Sequence, residues 1–178
     1  MSRTMSLLNR LSFFCALTVW PAIIGHLVEA SGRAPSTEGE GGIPRELVGA
    51  WGYAMAGRDY CTDIDQCPAG AGASTSFIFH RSGRAEYFLY NATLVEGCGP
   101  VRSLARKSGR IEVGSGTILF TPSAGAYRSV NECRPDLTGL WSFEAQDLEP
   151  VLLHWQLEEG KLRITDPSGE ASGAYRRR

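Results

Sequence analysis

The chain has 178 residues, a formal net charge of −1, 43% hydrophobic and 21% charged residues, and five cysteines. One domain fits that length, with enough chain to bury about two-thirds of its unfolded surface. The near-neutral balance excludes nucleic acid or an anionic membrane surface as the main partner.

The first 30 residues read as an export signal. Arg3 and Arg10 supply a positive start, Leu11 to Leu27 an apolar run, and Val28-Glu29-Ala30 a cleavage site with small or β-branched residues at −3 and −1. A membrane anchor is the alternative, but Pro21, Gly25, His26 and Glu29 would sit inside a span that needs about 20 mainly apolar residues. Cys15 follows Ser12-Phe13-Phe14, a poor context for lipid attachment. Cleavage after Ala30 removes two arginines and one glutamate, which takes the formal charge from −1 to −2. The expectation is a secreted or periplasmic protein with no membrane contact once the signal is gone. Residues 31–42 hold no large apolar side chain and read as a flexible leader, with the folded domain spanning 43–178.

Four cysteines remain: Cys61, Cys67, Cys98 and Cys133. An even number in an exported chain reads as two disulfides. Of the three pairings, Cys61–Cys67 with Cys98–Cys133 is preferred. A four-thiolate zinc site is the competing reading, but zinc sites show cysteine pairs two to four residues apart, and these do not.

Next comes Glu46-Leu47-Val48-Gly49-Ala50-Trp51-Gly52-Tyr53, the first strongly apolar run of the domain. From there the pattern has period two, broken by glycine turns. Ser76–His80 and Ala85–Tyr90 flank Arg81-Ser82-Gly83-Arg84 as a hairpin. Val101–Lys107 and Arg110–Val113 flank Ser108-Gly109 as another, and Gly114-Ser115-Gly116 turns into Thr117–Thr121, ended by Pro122. Ala126–Cys133 continues this hairpin, and Leu140–Glu144, Pro150–Leu157, Lys161–Thr165 and Ala171–Arg176 follow, so that about nine strands run in sequence. Val151, Leu153, Trp155 and Leu157 share one face and Leu152, His154 and Gln156 the other, the mark of an antiparallel sheet with one buried side. No stretch after Ser31 carries a helical apolar period. The fold class is therefore all-β, a single antiparallel up-and-down barrel of about 8–9 strands, which removes its edges by closing.

With its export signal, Gly49-x-Trp51 on the first strand, the meander and two disulfides, the chain resembles the lipocalin and calycin group of small secreted barrels. It is more similar to bacterial lipocalin-like domains than to animal lipocalins. The family's Thr-Asp-Tyr motif and its helix before the last strand are missing. The resemblance implies that Trp51 packs at the closed end under an arginine of the final strand, by position Arg176, and that the interior takes a small ligand.

Residues for chemistry are few. His80 and His154 form no close metal pair, and Gly114-Ser115-Gly116 is a turn rather than a nucleophile elbow. Asp59, Asp63 and Asp65 crowd the Cys61–Cys67 loop but fail the calcium-loop pattern. Arg176-Arg177-Arg178 reads as a solvated basic tail, and Asn91-Ala92-Thr93 as a glycosylation sequon that acts only in a eukaryotic secretory pathway. No metal, cofactor or catalytic group is expected. The aromatics carry more: an eight-stranded barrel is just wide enough for one small ligand. The candidate ligand-binding residues are Tyr53, Phe77, Phe79, Glu86, Phe88, Tyr90, Arg106 and Trp155. A small hydrophobic molecule is the expected partner, with two alternatives: a protein-binding barrel of hydrolase-inhibitor type, and a cyclase- or isomerase-type barrel enzyme.

Overall fold

The computed structural model describes residues 42–178 apart from 57–59, 68–69 and 170. The export signal and the leader up to residue 41 lie outside the described residues. Nine strands follow one another: β1 Gly49–Ala56, β2 Gly72–Phe79, β3 Arg84–Val95, β4 Gly99–Gly114, β5 Thr117–Asn131, β6 Gly139–Ser142, β7 Val151–Glu158, β8 Lys161–Thr165 and β9 Gly173–Arg177. All pairings are antiparallel, and β1–β2–β3–β4–β5–β7–β8–β9 closes back on β1 through Trp51 opposite Arg177 and Gly52 opposite Arg176. This is an eight-stranded closed barrel of up-and-down order, as the strand periodicity predicts. β6 is the ninth strand, laid on the far half of β5 at Ala126–Ser129, while the near half, Thr117–Phe120, pairs with β7.

Two sequence expectations about strand breaks are corrected. Ser108-Gly109 is no turn, and Pro122 ends no strand: β4 runs unbroken for 16 residues and β5 for 15. The two sites face each other, Gly109 opposite Pro122, at a register shift between the strands. A Cβ on Gly109 would lie 2.1 Å from the Thr121 carbonyl oxygen, so glycine serves close backbone approach here. A bulge is also where a strand tolerates proline, which has no N–H to give to the ladder. By contrast, Glu159-Gly160 does form a two-residue turn, both at positive φ (50° and 73°), the geometry that matches strand twist. The only helical segments among the described residues are short 3-10 turns at Pro135–Leu137 and Ala145–Leu148, and no helix there is long and apolar enough to cross a membrane.

The β2–β3, β4–β5 and β7–β8 turns and the start of β1 lie at one end of the barrel. There Ile43 and Leu47 tuck in beneath Trp51, whose indole N–H donates to the Leu47 carbonyl at 2.8 Å. The arginine over the Trp51 ring is Arg177, its guanidinium 4.6 Å from the ring centroid, and not Arg176 as expected. Tyr175 is fully buried in the core, so the side chain two residues on falls on the same, inward side, and Arg176 falls on the outer one. Arg177 also donates to the carbonyls of Val48 and Glu46 at 2.7 and 2.6 Å, binding the last strand to the lead-in of the first.

Both preferred cysteine pairs lie at disulfide distance, with Cα–Cα separations of 5.7 Å for Cys61–Cys67 and 5.2 Å for Cys98–Cys133. The first closes part of the β1–β2 connection, which folds back over the outside of the barrel. Ile64 and Cys61 are buried there with Phe88, Tyr90, Ala92 and Leu104, forming a second apolar cluster outside the barrel wall.

Candidate functional site

The end of the barrel opposite Trp51 is formed by the β1–β2 loop, the β3–β4 turn, the link from β6 to β7 and the β8–β9 loop. A cavity of about 300 Å³ opens there. Phe77, Tyr87, Phe120 and Leu153 line it from the barrel interior, and Pro122, Pro150, Val151, Pro167 and Ala171 from the walls and rim. The floor is an aromatic group: Phe77 lies 5.0 Å from Tyr87, 5.6 Å from Tyr175 and 5.4 Å from Phe79, centroid to centroid. Tilted and offset rings at such distances fill space and add about 0.5–1.5 kcal/mol per pair beyond their burial. Tyr175, whose hydroxyl donates to the Ala171 carbonyl at 2.6 Å, is pushed to a raised pKa first by burial, with Tyr87 close by as a second cause. It is a neutral structural hydroxyl at any physiological pH.

Three polar residues line the same cavity: Lys107, Asp166 and Ser168. Asp166 is buried and organises the β8–β9 loop. Its carboxylate accepts from the Ser168 amide at 3.2 Å, the Ser168 hydroxyl at 2.5 Å and the Ala171 amide at 3.1 Å, while its own amide donates to the Ser172 hydroxyl at 2.9 Å. Such a knot fixes the rim of the cavity, because short Asp and Ser side chains replace backbone partners in a tight loop. Lys107 enters from β4, opposite Tyr87 on β3 and Gly125 on β5. Its ammonium lies 5.4 Å from the centroid of the Phe143 ring.

Of the eight candidate ligand residues, Phe77 alone lines the cavity. Tyr53, Phe79 and Trp155 do belong to the interior core but lie away from the opening. Tyr53 rests on Gly173, where a Cβ would come within 2.5 Å of its ring. The other four are corrected. Glu86, Phe88, Tyr90 and Arg106 alternate with the interior residues Ala85, Tyr87 and Leu89, and stand on the outer face. Phe88 and Tyr90 are covered by the Cys61–Cys67 loop. Glu86 accepts from Arg106 at 2.5 Å and faces the His80 Nε2 at 3.2 Å. Burial works to raise its pKa, but the hydrogen bonds and charges of Arg106 and His80 outweigh burial and hold the carboxyl below its ordinary value. That cluster is an outer-wall ion pair, with Arg106 also over the Phe88 ring at 5.6 Å. Asp63 and Asp65 are likewise engaged. Asp63 accepts from the Asp65 amide and the Gln66 side chain, and Asp65 takes a bidentate pair from Arg128 at 2.6 and 2.8 Å. Asp59 lies outside the described residues.

Sequence reasoning passed over Tyr87, Lys107, Phe120, Leu153 and Asp166. Phe120 and Leu153 carried a usable signal, since each sits on the apolar face of an alternating strand. Lys107 carried none, as a lysine on a strand ordinarily marks the wet face. No protein-family model, curated protein or solved structure matches this chain at a significant level.

Proposed function

We propose that the protein is an exported, lipocalin-like barrel that holds a small, largely apolar molecule in its open end. The observation that carries this is the cavity of about 300 Å³, floored by Phe77, Tyr87, Phe120 and Leu153, at the end away from the Trp51–Arg177 closure. Ligand sites are concave, mostly apolar and furnished with a few polar groups, and this one has that make-up at the lower end of the usual size range. Eight strands allow one small occupant and no channel. The arginine stacked on the first-strand tryptophan supports the lipocalin-like reading, and the two disulfides and the signal-like residues 1–30 support export. An enzyme working through Glu86 or Tyr90 loses its support, because both face away from the cavity.

Native mass spectrometry and fluorescent-probe titration of the purified mature protein test the proposal. The expected result is one small apolar molecule bound per chain, with binding weakened at least tenfold by Phe120→Asp, which sets a charge on the cavity floor. A folded barrel that takes up no apolar probe overturns it. A second reading has one observation in its favour. On β6, Leu140 and Trp141 are 68% and 47% exposed, with Tyr127 5.9 Å from Trp141, an apolar outer strand suited to a protein partner. A tight partner recovered together with an empty cavity would favour that reading.

A further inference from the structure

The charges at the cavity are not balanced against each other. Asp166 is the acid, and among the described residues its carboxylate already accepts from the amide and hydroxyl of Ser168 and the amide of Ala171 in its own loop. Lys107 is the base, and among the described residues no carboxylate pairs with its ammonium within 4.0 Å; its charge rests on the Phe143 ring alone. That ring is itself placed. Gly125, directly across from Lys107, leaves room for it, since a Cβ at Gly125 would fall 2.5 Å from a Phe143 ring carbon, and the Phe143 amide donates to the Gly125 carbonyl at 3.0 Å. On its other side Lys107 faces Tyr87, part of the cavity floor. This half-buried lysine sets its ammonium on one aromatic ring at the edge of an apolar cavity, with no carboxylate among the described residues to pair with it, and an ion so placed gains most from an anion that completes its shell.

Size bounds the rest of the occupant. An apolar cavity of about 150 Å³ takes benzene. Here the volume is about 300 Å³, roughly twice that, which suits two fused or linked rings. Resting on the binding reading above, we infer that the cavity selects a two-ring aromatic monoanion, its rings on Phe77, Tyr87, Phe120 and Leu153 and its carboxylate or sulfonate on Lys107. Lys107 is thus the specificity-determining residue, and Asp166 shapes the rim and repels a second negative charge.

Three isosteric probes test this on the full mature protein by calorimetry or intrinsic fluorescence: 2-naphthoate, 2-naphthalenemethanol and protonated 2-naphthylmethylamine. The expected order is anion first, the neutral alcohol about tenfold weaker or more, and the cation weakest, in the range of one charge-assisted hydrogen bond. Lys107→Met should reduce naphthoate to the level of the alcohol and leave the alcohol within about twofold, whereas Lys107→Arg should keep the preference. Raised salt should weaken naphthoate and not the alcohol. If the alcohol binds the wild type as tightly as naphthoate, or the amine binds best, anion selection is wrong while the binding barrel stands. If none of the three binds folded protein, both fail.

Discussion

Trp51 is 1% exposed, with its ring under Arg177, its N–H on the Leu47 carbonyl and the rest of it packed in the apolar core cluster. Truncation to Ala removes a large buried ring from a site that cannot collapse, because strands on all sides are hydrogen-bonded into a closed ladder. We expect a loss of about 3–5 kcal/mol. Arg177 is exposed, and its stacking and two carbonyl contacts are worth less than the indole beneath it, so Arg177→Ala should cost a fraction of that. Because the two groups touch, the double mutant should lose less than the two single losses together. Arg176→Ala is the control for strand parity and should be nearly neutral. Equilibrium denaturation of the four variants measures all of this. An Arg176 variant that couples to Trp51, with an Arg177 variant that does not, would overturn the register of β9.

At the scale of elements, the β1–β2 connection acts as a strap over the outer wall. It has two means of attachment. One is apolar, Ile64 at 1% exposure among Phe88, Tyr90, Ala92 and Leu104. The other is polar, the Arg128–Asp65 pair and an Arg102 hydrogen bond to the Ile64 carbonyl at 3.1 Å. Magnitudes decide between them. Emptying a buried Ile site costs about 2–5 kcal/mol. A surface ion pair contributes about 0–1 kcal/mol, since its members stay solvated and must be immobilised. Ile64→Ala should therefore destabilise the protein and increase proteolytic cutting within residues 60–67, and Asp65→Asn should do little. Should Asp65→Asn release the strap while Ile64→Ala leaves it protected, the apolar account fails. With the strap in place, the middle of β3 is covered on both sides, which explains why its outer face carries Phe88 and Tyr90.

For the whole molecule, the disulfides divide the stabilisation unequally. Cys98–Cys133 spans 35 residues of sequence and ties the β3–β4 turn to the chain leaving β5, whereas Cys61–Cys67 spans six, within the strap. On the chain-entropy account, closing the longer loop contributes about 4 kcal/mol and the shorter about 2 kcal/mol. Net stabilities of single domains are about 5–15 kcal/mol, so loss of the first is a large share and loss of both endangers the fold. Replacing each pair by Ser and comparing denaturation midpoints checks the ranking. Equal losses, or a larger one for Cys61–Cys67, would mean that native-state packing of the strap outweighs loop entropy.

Alternation, turn residues and cysteine number by themselves determined that this chain makes about nine antiparallel strands and closes them, because those features depend on neighbours within a few residues. Lys161–Thr165 was legible to the residue. Which face of each strand points inward was decided only by the assembled barrel. In β3 both faces are apolar, Tyr87 and Leu89 on one side and Phe88 and Tyr90 on the other, so period two was visible and its sign was not. The strap removes the contrast that would have told them apart. The same ambiguity moved the closing arginine from position 176 to 177, since a strand's two faces differ by one residue. The bulge at Gly109 and Pro122 hid for a related reason: a glycine and a proline read as strand breaks unless the opposite strand, 13 residues away, is known to bring them together. Lys107 belongs to the cavity because the register sets it beside Tyr87 of β3 and Gly125 of β5, with the Phe143 ring against its ammonium, and those partners lie on other parts of the chain. Local pattern is set by local sterics and solvation, and a binding site is set by what distant segments cover, which only the closed tertiary structure decides.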